Sequence, residues 1–366
     1  MSQNEIFYEK YRPWQLAHVI GQDAVVKILQ KSCEKEFFHH SYLLSGKYGT
    51  GKTSVARIIA NLLTCENRTN GSSNICGKCS ACTGIKEGSS VDIYELDGAS
   101  NSKIENTRSI IENSKYSPVQ FKYKVYIIDE CHRLSNAAMT SLLKTLEEPP
   151  STSVFILCTT DFEKVPKEIV SRCQRLNFKP VAPAVISNYL SKLFASKKVE
   201  IDQQALDSIS IVCKGSVRDA LEIAQELIVT ASGPIHEKDV ADLLGFAGRD
   251  EIYSIVSAMS DADLIRSFDF LEQILISGID ARLICEEMSI IFRNIMISKI
   301  SSKYIQDMTK TEQKFIEEIK GKISMPNLIS FLSYFEEAER AFGVNLNNRW
   351  VLEAVVVKII DKQSGK

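Results

Sequence analysis

Over the first half of the chain, short apolar runs alternate with stretches of helical patterning, and the alternation stops near residue 180. Ser41-Tyr42-Leu43-Leu44, Val91-Asp92-Ile93-Tyr94, Val125-Tyr126-Ile127-Ile128 and Val154-Phe155-Ile156-Leu157 are short and mostly β-branched or aromatic, as buried strands of a covered parallel sheet are. Ser54 to Leu63 and Asn136 to Leu146 lie between them with helical spacing, so residues 1–178 read as βαβ units. Pro180 and Pro183 then punctuate the chain and predict a boundary. From Val185 strand signals nearly vanish. Helical patterns run to about residue 242, broken by Gly215 and by Ser232-Gly233-Pro234, which predicts a small helical domain over 179–242. Residues 243–366 are helical again, with apolar positions such as Leu271, Ile274 and Leu275 at three- and four-residue spacing. The final Gln363-Ser364-Gly365-Lys366 reads as a frayed end, and no short internal repeat or low-complexity tail is visible.

Composition narrows the class of protein. The chain has 366 residues, too many for one typical domain, with 44% hydrophobic and 25% charged residues, close to soluble globular averages. Its formal net charge of −2 excludes the broad basic field of a free-standing DNA binder. No stretch approaches the roughly 20 apolar residues that would cross a bilayer. The polar Met1-Ser2-Gln3-Asn4-Glu5 has no apolar signal core behind it, so a cytoplasmic protein is expected, without membrane partners. Ten cysteines then read as reduced thiols rather than disulfides, and four of them cluster between residues 65 and 82.

Gly46-Lys47-Tyr48-Gly49-Thr50-Gly51-Lys52-Thr53 fits the phosphate-binding pattern G-x-x-x-x-G-K-[ST], with a strand before it and a helix, from Thr53 and Ser54, after it. Gly46, Gly49 and Gly51 let backbone N–H groups, Thr50 and Ser54 included, curl around the β-phosphate of ATP, and the helix adds its positive end. Lys52 supplies a charge to the β- and γ-phosphates and Thr53 a hydroxyl ligand for Mg²⁺. Val125 to Ile128 runs into Asp129-Glu130, which puts two carboxylates at the carboxyl edge of the sheet. Asp129 would hold Mg²⁺, and Glu130 would orient and polarise the attacking water.

The segments that narrow the field follow in order: Asp129-Glu130-Cys131-His132-Arg133-Leu134-Ser135, Leu142 through Leu146-Glu147-Glu148-Pro149-Pro150, Thr159-Thr160-Asp161, Ser171-Arg172-Cys173 and Gly215-Ser216-Val217-Arg218-Asp219. Their order closely resembles the gamma/tau family of bacterial DNA polymerase III, AAA+ clamp-loader ATPases. The likeness is strong from about residue 6 to 245 and weak beyond. It implies an α/β P-loop AAA+ domain with a zinc module, a helical lid and an all-α C-terminal collar. By position, Thr160 matches the sensor that feels the γ-phosphate, Arg172 an arginine finger aimed at ATP in a neighbouring subunit, and Arg218 the second-domain sensor. Tyr8-Glu9-Lys10-Tyr11-Arg12-Pro13 and Val19-Ile20-Gly21-Gln22 also resemble the family, where this segment packs beside adenine and ribose; Tyr8, Arg12, Val19 and Ile20 are the residues carried over. Lys103 and Lys144 align with positions that face DNA, as phosphate contacts along a spiral of subunits. The implied partners are other clamp-loader subunits in a hetero-oligomeric ring, the sliding clamp, primed DNA and the DNA polymerase III core. Nothing in the chain resembles a polymerase active site.

Cys65, Cys76, Cys79 and Cys82 are spaced C-x₁₀-C-x₂-C-x₂-C, which suits a closed, structural tetrahedral Zn²⁺ site, and the family carries a zinc module just after the first helix. Two other readings stand beside it: part of an iron–sulfur pattern, though lacking a fourth cysteine followed by proline, and unliganded thiols. Cys158 and Cys213 read as small core residues. In the C-terminal region, Asn347-Asn348-Arg349-Trp350, Glu353 and Val355-Val356-Val357 echo the family's collar, while the apolar stripe there fits internal packing of a bundle equally well. A non-hydrolysing scaffold subunit would not need Lys52, Thr53, Asp129 and Glu130 together. A branch-migration motor would lack the zinc cysteines and the Leu-Glu-Glu-Pro-Pro and Ser-Arg-Cys pair, and a transport ATPase would carry a signature loop that is not visible.

Overall fold

A computed structural model of the chain describes residues 6–100, 104–231, 233–243, 249–301, 308, 310–342 and 347–365. Packing divides the chain into two compact units, Met1–Lys197 with Ile209–Thr230 and Lys198–Ser208 with Ala231–Lys366.

The first unit is built on five strands, β1 (Ser41–Ser45), β2 (Ile93–Asp97), β3 (Lys124–Asp129), β4 (Ser153–Thr159) and β5 (Gln174–Asn177), in the order β2-β3-β4-β1-β5 and parallel throughout. In register, Leu43 of β1 faces Leu157 of β4, and Ile128 of β3 faces Leu157 from the other side. Alternation along each strand feeds two cores. Val125 and Ile127 of β3 with Val154 and Ile156 of β4 pack under the helix Lys52–Thr64, through Val55, Ile58, Ile59 and Leu62. Tyr126, Ile128, Phe155 and Leu157 pack on the opposite face against Met139, Leu142 and Leu146 of the helix Asn136–Glu147. On that face Tyr94, Tyr126 and Phe155 stack across three strands at 5.1 and 5.2 Å. A sheet covered on both faces explains why β1 and β4 are buried at every position and read as continuous apolar runs.

Two elements differ from the sequence pattern. The second strand begins at Ile93 rather than Val91, because Asp92 is spent on a turn. Its buried carboxylate accepts backbone N–H bonds from Val119 (2.8 Å), Gln120 (2.6 Å) and Phe121 (2.9 Å), while Val91 is 53% exposed. β5 was not visible as an apolar run: Gln-Arg-Leu-Asn buries only Leu176, because an edge strand has a partner on one side alone.

Among the described residues, the regular structure of the second unit is helical apart from a parallel bridge between Ile201 and Ile235. Its core gathers one face of each of several helices. In Ala281–Ile300 that face is Met288, Phe292 and Ile295, and Phe292 meets Phe331 and Phe335 of Met325–Phe342 with ring centres 5.3 and 5.8 Å away. Val355 and Val356 of Asn348–Gln363 are buried there and Trp350 is exposed. Among the described residues no helix is long and apolar enough to cross a membrane.

Candidate nucleotide site and cysteine cluster

β1 runs straight into the glycine-rich loop, and the loop into the helix Lys52–Thr64. Gly51 makes the turn with φ 98°, a conformation that costs a residue with a Cβ. Gly49 is required for a different reason: a Cβ there would sit 1.8 Å from Ser216 Oγ. The Gly49 carbonyl accepts the N–H of Val217 (3.0 Å) and of Arg218 (3.4 Å), so the loop caps the helix Val217–Thr230 that carries Arg218. Gln22, 3% exposed, braces the loop from the other side, donating to Lys179 O (2.8 Å) and Thr50 O (3.4 Å).

Lys52 lies within the loop, its ammonium donating to the carbonyls of Gly46 and Lys47, both at 2.9 Å. Burial pushes its pKa down, and Glu130 and Asp129 oppose that shift. A buried cation held mainly by neutral carbonyls is a ready donor to phosphate oxygens. Thr53 Oγ1 donates to Asp129 Oδ2 at 2.6 Å, so the two residues read as magnesium ligands already touch. Asp129 Oδ1 accepts the N–H of Glu130 at 2.9 Å. Glu130 itself has φ 46°, a left-handed conformation rare outside glycine, and it turns the chain from β3 into Cys131–Arg133. Its Oε2 accepts Thr160 Oγ1 (2.7 Å) and Thr160 N (3.2 Å), across from the adjacent strand end. Neighbouring strands β3, β4 and β1 thus bring the acid pair, Thr160 and the loop to one edge of the sheet.

The pocket beside this edge is lined by Gly49, Thr50, Gly51, Lys52, Thr53, Ser54, Asp129, Glu130 and Arg218, and by Tyr8, Arg12, Val19 and Ile20 from the N-terminal segment. Arg218 lies over the rings of Tyr8 (4.2 Å) and Tyr48 (5.2 Å) and pairs with Glu222 at 3.0 Å. Gly46 shapes the loop without lining the pocket, its N–H donating to Thr159 O at 3.2 Å. Tyr11, His18, Tyr48, Tyr189 and Leu221 also line it and were not singled out by sequence. The first three sit beside residues that were, and Leu221 lies one turn beyond Arg218 on the same helix; Tyr189 belongs to the separate helix Pro183–Lys197 and carries no local signal.

Arg172 is elsewhere. It ends the helix Lys167–Arg172 and does not line its own chain's pocket; it pairs with Glu147 and donates to Glu168 O at 2.8 Å. The pair joins the Leu-Glu-Glu-Pro-Pro and Ser-Arg-Cys segments, which are 25 residues apart at this contact. Lys144 is exposed near the end of Asn136–Glu147, and Lys103 lies outside the described residues.

The four clustered cysteines converge. Cys65 follows the helix Lys52–Thr64, Cys79 precedes Ser80–Glu87 and Cys82 lies within it, and all four sulfurs are within 4.8 Å of one another. Sulfur pairs lie at 3.5 Å (Cys79–Cys82), 3.9 Å (Cys65–Cys79) and 4.0 Å (Cys76–Cys82). Thiolates about 2.3 Å from one tetrahedral ion sit about 3.8 Å apart, so the set fits a single ion. An iron–sulfur cluster divides its four thiolates among two or four irons and so spreads them wider than a single tetrahedral ion does. Backbone N–H groups of Lys78 (3.4 Å) and Cys79 (3.3 Å) point at Cys76 Sγ, and these, Lys78 first, bring its thiol down to about 6. Burial pushes Cys65 and Cys82 the other way, an opposition that a dication would relieve. Cys158 and Cys213 are 0% and 4% exposed within apolar packing.

With this geometry in hand, comparison with known proteins decides the family. A DNA polymerase III subunit gamma of Buchnera aphidicola subsp. Schizaphis graminum is 32% identical over 97% of this chain and 98% of its own length. The chain belongs to the DNA polymerase III gamma/tau family. The family model for DNA polymerase III subunits gamma and tau domain III matches residues 235–364, and the model for the DNA polymerase III delta subunit matches residues 21–182. Longer gamma/tau members align as well. DNA polymerase III subunit tau of Bacillus subtilis is 32% identical over 97% of this chain and 63% of its own length, and that of Escherichia coli 34% over 86% and 48%. The chain therefore spans about half to two thirds of these tau subunits. Among solved structures, the Bacillus subtilis DNA clamp loader delta protein aligns over 92% of this chain and 99% of its own, with 14% identity and a TM-score of 0.42. The Thermotoga maritima RuvB Holliday junction branch migration motor aligns over 68% and 79%, with 19% identity and a TM-score of 0.48. Both are too distant to bear on the assignment.

Proposed function

We propose that this gamma/tau chain is an ATPase motor subunit of the DNA polymerase III clamp loader, whose ATP binding and hydrolysis drive loading of the sliding clamp onto primed DNA. The observation that carries the reading is the Thr53–Asp129 bond, which joins the phosphate loop to the acid pair at the carboxyl edge of the sheet. Lys52 exchanges the Gly46 and Lys47 carbonyls for β- and γ-phosphate oxygens of ATP. Thr53 and Asp129 hold Mg²⁺, which neutralises charge on the phosphoryl oxygens when bound. Glu130 orients the attacking water, Thr160 beside it reports on the γ-phosphate, and Arg218 couples its helix to the pocket. Tyr8, Arg12, Val19 and Ile20 flank the adenine and ribose. Arg172, which does not line its own pocket, serves ATP bound to the neighbouring subunit of the ring, a role worth about 10³–10⁵ in rate where it has been measured.

In this reading residues 1–178 form an AAA+ nucleotide domain, 179–242 a lid and 243–366 a collar that holds the ring together. Cys65, Cys76, Cys79 and Cys82 hold a structural Zn²⁺. The chain works in the cytoplasm with the other loader subunits, the clamp and the polymerase core. Lys144 and Lys103 contribute phosphate contacts only when subunits are assembled. Polymerisation belongs to another subunit.

The test is ATP hydrolysis by the reconstituted loader, with and without clamp and primed DNA, comparing wild type with Lys52→Ala and Arg172→Ala. Stimulation by clamp and DNA that either substitution abolishes supports the reading. Hydrolysis indifferent to clamp and DNA leaves an ATPase but removes its work in replication.

A further inference from the structure

Glu130 is approached by a second residue besides Thr160. His132 Nδ1 lies 3.0 Å from Thr159 Oγ1 and 3.3 Å from Glu130 Oε2, with its side chain only 10% exposed. Hydrogen-bond accounting fixes which partner donates. A threonine hydroxyl has one hydrogen and two lone pairs. Thr159 Oγ1 gives its hydrogen to Asp161 O (3.0 Å) and uses one lone pair on Asp161 N–H (3.0 Å). What remains is an acceptor, so His132 Nδ1 is assigned the proton and donates it to Thr159 Oγ1, with Glu130 Oε2 next to the same N–H at 3.3 Å.

Glu130 Oε2 thus accepts two hydrogen bonds, from Thr160 Oγ1–H and Thr160 N–H, and His132 Nδ1 stands 3.3 Å from the same oxygen. Oε1 takes no protein hydrogen bond among the described residues, and Glu130 lines the nucleotide pocket. The two oxygens are thus differentiated, one anchored in the protein and one left for the pocket. Thr160 cannot supply the whole anchor during turnover. Its single hydroxyl hydrogen is given to Glu130 in this structure, and it is the same hydrogen a γ-phosphate oxygen would take. The other claim on the His132 proton comes from Thr159, a fully buried protein group, and not from phosphate.

We propose that His132 is a positioning residue for hydrolysis: its Nδ1–H, poised 3.3 Å from Glu130 Oε2, closes on that oxygen and turns Oε1 toward the attacking water while Thr160 is engaged with phosphate. The inference rests on the reading of Glu130 as the residue that orients water. Cys131, His132 and Arg133 form one short 3₁₀ turn that starts at the left-handed Glu130, so the strained backbone and the imidazole aim the same carboxylate.

The experiment measures ATP hydrolysis by the reconstituted loader with clamp and primed DNA, beside ATP affinity of the same proteins. His132→Phe keeps a ring and loses the donor; His132→Asn keeps an N–H near the Nδ1 position. The expected result is a kcat fall of about 10- to 100-fold for His132→Phe, within the range for loss of a positioned group. ATP affinity should stay unchanged, and His132→Asn should recover most of the rate. An unchanged kcat in His132→Phe overturns the proposal, and so does an equal loss in both variants or a parallel loss of ATP affinity. Glu130→Gln separates this from the reading beneath it. If Glu130→Gln still hydrolyses ATP at the wild-type rate, Glu130 is not the water-orienting residue and that reading fails. If it does not, yet His132→Phe is normal, only the positioning role fails.

Discussion

Single residues in this chain are often legible by type and illegible by job. Asp92 is the clearest case, since it sits inside an apolar run and looks like a strand residue facing solvent. It is instead 0% exposed, with its carboxylate closed by three backbone N–H groups. Burial alone would raise its pKa, but the Val119, Gln120 and Phe121 N–H bonds outweigh that and leave it lowered. A lowered acid contributes stability that is present above its unfolded pKa of about 3.9 and lost as pH falls through the folded value. Asp92→Asn should therefore cost about 1.5–3 kcal/mol at pH 7, the range for hydrogen bonds to a charged group. Urea unfolding at pH 7 and at successively lower pH should show the gap to wild type shrinking below about pH 4. A gap that stays constant with pH would mean the charge of Asp92 is not what the turn uses. Gly49 makes the same point in reverse. The phosphate-loop pattern leaves that position free, and the crowding by Ser216 that requires a glycine comes from a residue 167 positions along, 216 against 49.

At the scale of elements, the cysteine module shows what local spacing predicts well. Two pairs three residues apart, Cys76–Cys79 and Cys79–Cys82, put ligands at the start of a helix, while Cys65 arrives from the end of the preceding one. Trp14 packs on Gly77, 3.0 Å from where a Cβ would be, and Gln15 donates to Ile75 O at 3.2 Å. A metal site with closed thiolate coordination stabilises its loop directly. Protein purified without chelator should carry about one zinc per chain. Cys82→Ser should drop the content below about half and lower the thermal midpoint by several degrees, as expected when a structural metal is lost. Metal analysis without zinc, or full zinc in the variant, would remove the site. The edge strand β5 shows the opposite limit. Its four residues have no periodicity to find, and only pairing with β1 makes them a strand.

For the whole molecule, charge sets the expectation. A chain of net charge −2 has no surplus field to hold a polyanion by itself, so under the proposed clamp-loader reading DNA affinity would come from subunits arranged around it. The isolated chain should bind primed DNA weakly, with a Kd of roughly 10⁻⁵ M or higher at physiological salt, and lose most of that between about 50 and 200 mM salt. Fluorescence anisotropy on labelled primed DNA measures both. Tight, salt-insensitive binding by the lone chain would contradict a ring-dependent grip. The Arg172–Glu147 pair fits the same view. The arginine lies on the surface, in contact with the second family segment and outside its own pocket.

The amino-acid sequence by itself determined the parallel sheet, the phosphate loop, the acid pair and the clustering of four thiols. Each of these is written in residues a few positions apart: apolar runs that must be covered, glycines that must turn, carboxylates at the end of a buried strand. Only the tertiary structure decided which distant groups meet. It sets Thr53 against Asp129, Thr160 and His132 against Glu130, Gln22 against Thr50 and Lys179, and Arg218 over Tyr8. Those contacts depend on the order β2-β3-β4-β1-β5, in which sequence-distant strand ends become neighbours. No local pattern encodes that order, because it follows from how the covered sheet closes its two cores.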